Sequence, residues 1–568
     1  MLLQHDQPVA IVPKVFELLC ALVEQNGRLL DRETLLKRIW PDTFVEEGNL
    51  SKLIFLLRGA LGQEGSSGPY IETVPKRGYR FIAEVRRGMA RPAKQPREAE
   101  APSIAVLPFL DLSAGHDEEY FCEGIAEEIL NALSRVEGLR VASRSSSFRF
   151  AGKGVDLAEA ATALKVAWAV EGSVRKSGNR LSITARLVRV ADGFQVWSHA
   201  FNREEGDIFE IQQEIASAIV DLAAPQLLRG APVIRRHTTN PEAYELYLRG
   251  RYFWNRRPGE VVQQALECFQ KALQLDPNFA AAHAGIADVY ATLGSWEAGV
   301  LPPAEALVAS RSSALKALSI DPSLSEAHTS LAYVAHHFEW DLPRAEALFR
   351  KAIDLDPAYT GAWHWHSHSL VAGGRFGESL AESSKALELD PVDLMLTFHM
   401  AWHYQMARNA DKTIEYATRA LQMDRQRHWG HYFLAAGYEL QGRYEEAAAA
   451  LREACDVSSG NPVMQAWYGY SLALAGNHRE ARSMARVVLA LGETRGHFAY
   501  EVALIHAVLG DFDTAFNLLN RARVQRSGWM SYILVDPRLD IVRGDPRFPQ
   551  LVESVALKNR SSTPAGVA

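Results

Sequence analysis

Three cations gather around one glycine in "YIETVPKRGYRFIAEV", residues 70–85: Lys76 and Arg77 precede Gly78, and Arg80 follows it. The flanking residues alternate as paired strands do. The cations therefore fall at a hairpin tip, where such side chains contact phosphates or a minor groove. Imidazoles form the second concentration. "WHWHSHS", residues 363–369, sets His364 and His368 one helical turn apart, and His336 and His337 lie one repeat earlier. Zinc would want a further ligand beside such a pair; packing between helices or lining a groove uses the same residues without a metal. The remaining polar patterns lack chemistry. "SRSSS" at 143–147 has no Gly-x-Ser-x-Gly elbow, and "GKG" at 152–154 has no phosphate-loop spacing. Glu127 and Glu128 fit a solvated helix face. No catalytic residue, cofactor or metal is expected.

A cationic hairpin needs a body to present it. "PKVFELLCALVEQNG" spaces Val15, Leu18, Leu19 and Leu22 as a helix closing on Gly27. "DRETLLKRIWP" offers Asp31 as an N-cap and ends at Pro41. In "EEGNLSKLIFLLRGALG", Leu50, Leu53, Ile54, Leu57 and Leu61 share one arc. Gly48, Ser51, Lys52, Phe55 and Gly59 take the opposite arc, with Asn49 and Arg58 on its flanks. Three helices followed by a basic hairpin is the order of a winged helix-turn-helix, whose third helix enters the major groove. The DNA-contact set expected is Asn49, Ser51, Lys52, Phe55 and Arg58 from the helix, with Lys76, Arg77 and Arg80 from the wing.

"NLSKLIFLLRGALG" followed by "YIETVPKRGYRFIAEV" resembles the winged-helix output domain of OmpR/PhoB-type and CadC-type regulators. The resemblance implies a DNA-binding domain over residues 1–88, double-stranded DNA as partner, and room for a dimer on DNA. The sheet that precedes the first helix in that family is reduced here to about "LLQHDQPVAI", a shortened or truncated N-terminal sheet. Residues 1–88 hold 12 Lys and Arg against 11 Asp and Glu. An alternative therefore stands beside the first reading: a repeat scaffold with a degenerate winged helix that does not bind DNA.

The 568-residue chain has a net charge of −7, so any surface for a polyanion must be local. Its four cysteines form no CxxC pair, which suits a reducing compartment. The start does not read as a signal peptide, and no apolar run reaches the roughly 18–20 residues that span a bilayer. A cytoplasmic location without a membrane anchor is expected.

Residues 89–102 read as an exposed linker, at the place where CadC-like proteins carry a transmembrane helix. Residues 103–230 alternate strands and helices. "IAVLPF", "EYFCEGIAEEILNALSRV" and "VEGSVRKSGNRLSITARLVRVADGFQVWS" resemble the TolB N-terminal-like α/β module. From residue 241 to 528 the chain repeats. "ALQLDP", "ALSIDP", "AIDLDP", "ALELDP" and "ALQMDR" end at Pro277, Pro322, Pro357, Pro391 and Arg425, and Gly442, Gly476 and Gly510 are 34 apart. A period of about 34 residues is the tetratricopeptide signature, here in about eight copies. Such stacks curl around a concave face. By resemblance, the first helix of each repeat lines it. That places Tyr333, His336, His337, His364, His368, Phe398, Trp402, Trp429 and Tyr432 in a groove for a protein or peptide, with Trp402 as anchor. Residues 529–568 read as a C-terminal cap and disordered tail. The fold expected is multidomain α+β: winged helix-turn-helix, TolB-like α/β domain, all-α repeat superhelix.

Overall fold

Two short strands, β1 (Leu2–Gln4) and β2 (Gln7–Val9), pair antiparallel ahead of the first helix. Helix α1 (Pro13–Glu24) buries Val15, Leu18, Leu19 and Leu22, the face its spacing defined, and Gly27 ends the turn beyond it at φ +78°. Strand β3 (Leu29–Asp31) leads into α2 (Arg32–Ile39). Asp31 accepts the Thr34 N–H at 2.7 Å and the Thr34 hydroxyl at 2.9 Å. Those bonds hold its carboxyl below the ordinary range and satisfy orphan helix donors. Helix α3 (Glu47–Ala60) sinks Leu50, Ile54 and Leu57 into the same core. Strands β4 (Ile71–Val74) and β5 (Gly78–Phe81) form the wing, and β3 joins them in the order β3-β5-β4. Gly78 is required there: at φ +152°, a Cβ would lie 2.0 Å from the Leu30 carbonyl oxygen of the paired strand.

The computed structural model describes residues 2–4, 7–9, 13–39, 47–61, 70–75, 77–83, 85, 102–115, 117–150, 157–178, 180–204, 208–223, 237–256, 260–295, 300–495 and 498–555. Pro41, Lys76, nearly all of the linker, "GKG" and the tail after residue 555 lie outside them. Residues 1–100 form one compact unit and residues 101–568 a second.

The second unit begins with β6 (Ser103–Val106), β7 (Leu110–Asp111), α4 (Glu119–Ser134), β8 (Arg140–Val141), α5 (Arg144–Phe148) and α6 (Leu157–Leu164). Then come β9 (Trp168–Ser177), β10 (Arg180–Arg189), β11 (Gln195–Glu204) and α7 (Ile208–Ala223). The sheet runs β11-β10-β9-β6-β8; β6 is parallel to both neighbours and the β9–β10–β11 meander is antiparallel.

Helix α4 corrects one expectation. Glu123, Glu127 and Glu128 are buried rather than solvated. The reason is the helix Pro241–Asn255, which packs on α4 so closely that a Cβ on Gly124 would sit 2.7 Å from the Leu248 side chain. Glu127 meets Arg251 at 2.6 Å and Arg144 at 2.9 Å; Glu123 meets Arg144 and Arg256, each at 2.8 Å. Burial pushes the Glu127 carboxyl up, but the two guanidiniums outweigh it and hold it low. Ile104, Phe121 and Ile215 of the α/β module share one core with Tyr244, Phe269 and Phe279 of the first repeats.

Helices then follow in pairs: Pro241–Asn255 with Glu260–Leu275, Ala280–Leu293 with Pro303–Ile320, Ser325–Val334 with Leu342–Leu355, and Thr360–Ala372 with Phe376–Leu389. The remaining pairs are Leu394–Met406 with Ala410–Met423, His428–Leu440 with Tyr444–Val457, Pro462–Leu474 with His478–Arg495, and Ala499–Val508 with Phe512–Val524. Ala332, Ala401, Ala435 and Ala503 are wholly buried where paired helices approach. The aspartate turns that end the repeats share a device. Asp276, Asp321, Asp356 and Asp424 each accept the N–H two residues on, at 2.9–3.0 Å. Asp390 departs from it: its buried carboxylate accepts the hydroxyls of Ser145 and Ser146 on α5. The "SRSSS" stretch thus pins the α/β module to the turn closing the fourth pair, where burial and Asp393 lift Asp390 to about 6.

Candidate nucleic-acid interface and repeat groove

With one face of α3 committed to the core, the other is open. Gly48, Asn49, Ser51, Lys52, Phe55 and Gly59 are exposed. Phe55 is 75% exposed, more than any other large apolar residue described. Arg58 does not join them. It is half-buried, and its Nη2 donates to the Ile71 carbonyl at 3.0 Å and the Thr73 hydroxyl at 2.7 Å. It lies on the flank, as its spacing placed it, but its guanidinium ties the wing to the helix, and its expected role as a DNA contact is corrected accordingly. Arg80 stands opposite Glu72 across the β4–β5 pair at 3.6 Å, and Arg77 is exposed at the tip. Asn49, Ser51, Lys52, Phe55 and Arg77 present an apolar centre edged by polar and cationic groups, a pattern that meets base edges and thymine methyls as well as phosphates.

The repeat groove is different. Tyr333, His336, His337, His364, His368, Phe398, Trp402, Trp429 and Tyr432 are all buried, Trp402 to 1% exposure. An open aromatic groove is therefore corrected to a filled one, and the filling is the chain's own C-terminal segment. Arg526 lies over Trp340 at 4.4 Å. A 3-10 turn, Gly528–Tyr532, brings Tyr532 against His336 at 5.4 Å and Trp402 at 5.1 Å between ring centres, and its hydroxyl within 3.3 Å of His337. Trp529 stacks on Tyr500 at 5.7 Å and donates Nε1 to Glu501 at 3.0 Å. Asp536 accepts the Tyr500 hydroxyl at 2.8 Å.

Arg538 is the centre of this closure. Its guanidinium pairs with Asp536 at 3.0 Å, donates to the Tyr432 hydroxyl at 2.8 Å, and lies 3.9 Å over the Trp467 ring and 4.8 Å over Trp529. Farther along, Arg408 holds Asp540 at 2.8 Å. Burial raises Glu439 and Glu501, which face this segment, to about 7. The composition of "GWMSYILVDPRLDIV", residues 528–542, carried the signal: a solvated tail has no use for Trp529, Tyr532, Ile533 and Leu539, all wholly buried here.

A family model described as "Transcriptional regulatory protein, C terminal" matches residues 6–81. One described as "HilA/YgeH-like transcriptional regulator, second domain" matches residues 99–218, where the sequence resembled a TolB-like module. A TPR repeat model matches residues 262–294. Among relatives, a "Putative adenylate cyclase 3" of Rhizobium meliloti (strain 1021) is 36% identical over 199 residues, 35% of this chain and 34% of that one. The "Transcriptional regulator HilA" of Salmonella typhi is 26% identical over 69% of this chain and 68% of its own length. The "Transcriptional activator CadC" of Escherichia coli (strain K12) is 29% identical over 14% of this chain and 16% of its own. The chain thus spans about a third of the first relative and about two thirds of the second. It carries a transcriptional-regulator winged helix, a HilA-like second domain and tetratricopeptide repeats, and two of these three relatives are transcriptional regulators. No described helix is long and apolar enough to cross a membrane.

Proposed function

We propose that the chain is a cytoplasmic, non-enzymatic transcriptional regulator that reads duplex DNA with the outward face of α3. The observation that carries this reading is the pairing of a fixed inner face (Leu50, Ile54, Leu57) with an outer face where Phe55 and Lys52 stand exposed. Asn49, Ser51 and Lys52 supply polar contacts to base edges, Phe55 an apolar contact, and Arg77 a phosphate contact at the wing tip. Arg58 acts as a positioning residue through Thr73. Lys76 completes the wing tip in this reading. DNA of dyad symmetry would seat two copies.

For the repeat stack, a protein or peptide partner has to displace residues 526–543 or bind outside them, because that segment already satisfies the inner wall. The test of the DNA reading is selection of duplexes from a random pool by the full chain, then titration of the recovered sequence against a scrambled one. Enrichment of one sequence, lost in Lys52→Ala and Phe55→Ala, supports it. No enrichment and no duplex affinity at low salt leaves the scaffold reading in its place.

A further inference from the structure

We propose that His364, His368 and His399 form a binding site for a single divalent transition-metal ion, zinc in the first instance, inside the repeat stack. His364 and His368 lie one turn apart on Thr360–Ala372, and His399 projects from Leu394–Met406 of the next pair. One nitrogen from each lies within 4.8 Å of the other two, and His399 Nδ1 is 2.9 Å from His364 Nε2. Tetrahedral zinc holds nitrogens at about 2.0–2.1 Å, which sets them about 3.3 Å apart. The widest pair has to close by at most about 1.5 Å and the narrowest to open slightly, within reach of χ rotations.

His403, His366 and His337 face partners elsewhere, and His336, which like His368 has no hydrogen-bond partner on either nitrogen, packs on His337 outside the group of three. Both nitrogens of His403 meet serine hydroxyls, Ser367 at 3.1 Å and Ser379 at 2.8 Å. His366 faces Glu382 at 2.7 Å. His337 faces the Tyr333 carbonyl and the Tyr532 hydroxyl, each at 3.3 Å. His368 has no such partner. It is wholly buried, neither ring nitrogen has a hydrogen-bond partner in the protein, and it stands against His364 and His399 with ring centres 4.7 and 4.9 Å away. A buried polar ring aimed at two others is the arrangement a metal satisfies. Imidazole suits first-row ions from cobalt to zinc. Asp393, at the start of the helix that carries His399, is committed to that helix: its carboxylate accepts the Leu396 N–H at 2.7 Å. Trp402 stacks on His368 at 4.3 Å, and Tyr532 covers Trp402. Metal therefore enters before the C-terminal segment closes.

The test uses the full chain without a histidine tag, expressed in zinc-supplemented medium and exhaustively dialysed. Mass-spectrometric metal analysis is expected to find about one zinc per chain. Cobalt added during refolding is expected to give the visible bands of a tetrahedral nitrogen-ligated centre. His368→Gln and His399→Gln are expected to lose the ion, while His283→Gln, at a half-buried histidine outside the cluster, keeps it. Wild-type zinc no higher than that of His368→Gln, or equal loss in His283→Gln, overturns the proposal. Should the cluster variants fail to fold, the wild-type melting temperature decides. A rise with zinc that a chelator present during refolding abolishes supports the site, and no shift overturns it.

Discussion

The outward face of α3 and the inner wall of the repeat stack look alike in the sequence: each is a helical arc carrying aromatic and polar residues that the hydrophobic arc leaves over. In the structure they are opposites. Phe55 stands in solvent, whereas Trp402, Tyr432, His336 and His337 are buried against residues 526–543. Helical periodicity decides which residues share a face; it does not decide whether a distant stretch of the same chain already occupies that face. A face left open after every segment has been placed is a candidate for a partner, and a filled one is first of all part of the fold.

The most damaging way to break the contrast is at Arg538. Arg538→Ala leaves Asp536 buried without its guanidinium and removes the cation from Trp467 and Trp529. Losing one member of a buried ion pair costs about 3–5 kcal/mol. The expected outcome is a marked fall in the calorimetric melting temperature of the second unit, with DNA affinity unchanged. On the open side the pattern reverses. Lys52→Ala and Phe55→Ala should each cost about 1–3 kcal/mol in binding to the selected DNA. Neither should move the melting temperature, because neither side chain contributes to the core. A stability loss in Phe55→Ala without a binding loss would place that ring among the structural residues.

Acidity sharpens the comparison from the closed side. Glu439 and Glu501 ionise near 7 when folded, against an ordinary value of 4.5. A raised carboxyl binds its proton more tightly in the folded state, so the stability it confers is complete below about pH 4.5 and is lost as pH climbs to about 7. The buried histidines held below their ordinary 6.5, among them His336, His337, His368 and His403, pull the other way over the same window, so the two carboxyls are read by difference: from pH 4.5 to 7 the wild type should lose stability relative to the double variant Glu439→Gln with Glu501→Gln. The smallest effect belongs to Arg77. Its alanine variant should weaken all duplexes alike and reduce the salt dependence by roughly one counterion, read from a log–log plot of affinity against salt.

Much of the organisation was legible because local rules and tertiary packing agree. The apolar arc of α3 and the Asp31 cap rest on neighbouring residues, whereas the demand for glycine at 78 comes from Leu30 on the paired strand. The 34-residue period placed the repeat helices because each repeat touches chiefly the next. What escaped were contacts between distant residues. Glu127 reads as a surface residue until Arg251 is beside it. Arg58 reads as a groove cation until Thr73 takes it. Asp390 repeats its four counterparts in sequence, yet holds Ser145 and Ser146 from 245 and 244 residues earlier. Sequence spacing offers His336 or His337 of the preceding repeat as a third histidine beside His364 and His368, whereas the structure brings His399 from the following one.

Amide hydrogen exchange on the intact chain, free and with duplex DNA, tests the contrast most directly. The account predicts that residues 526–543 are as strongly protected as the repeat helices before any ligand is added, and that DNA adds protection at α3 and the wing alone. Rapid exchange across 526–543 in the free chain, or DNA-induced protection that bypasses α3, would contradict it.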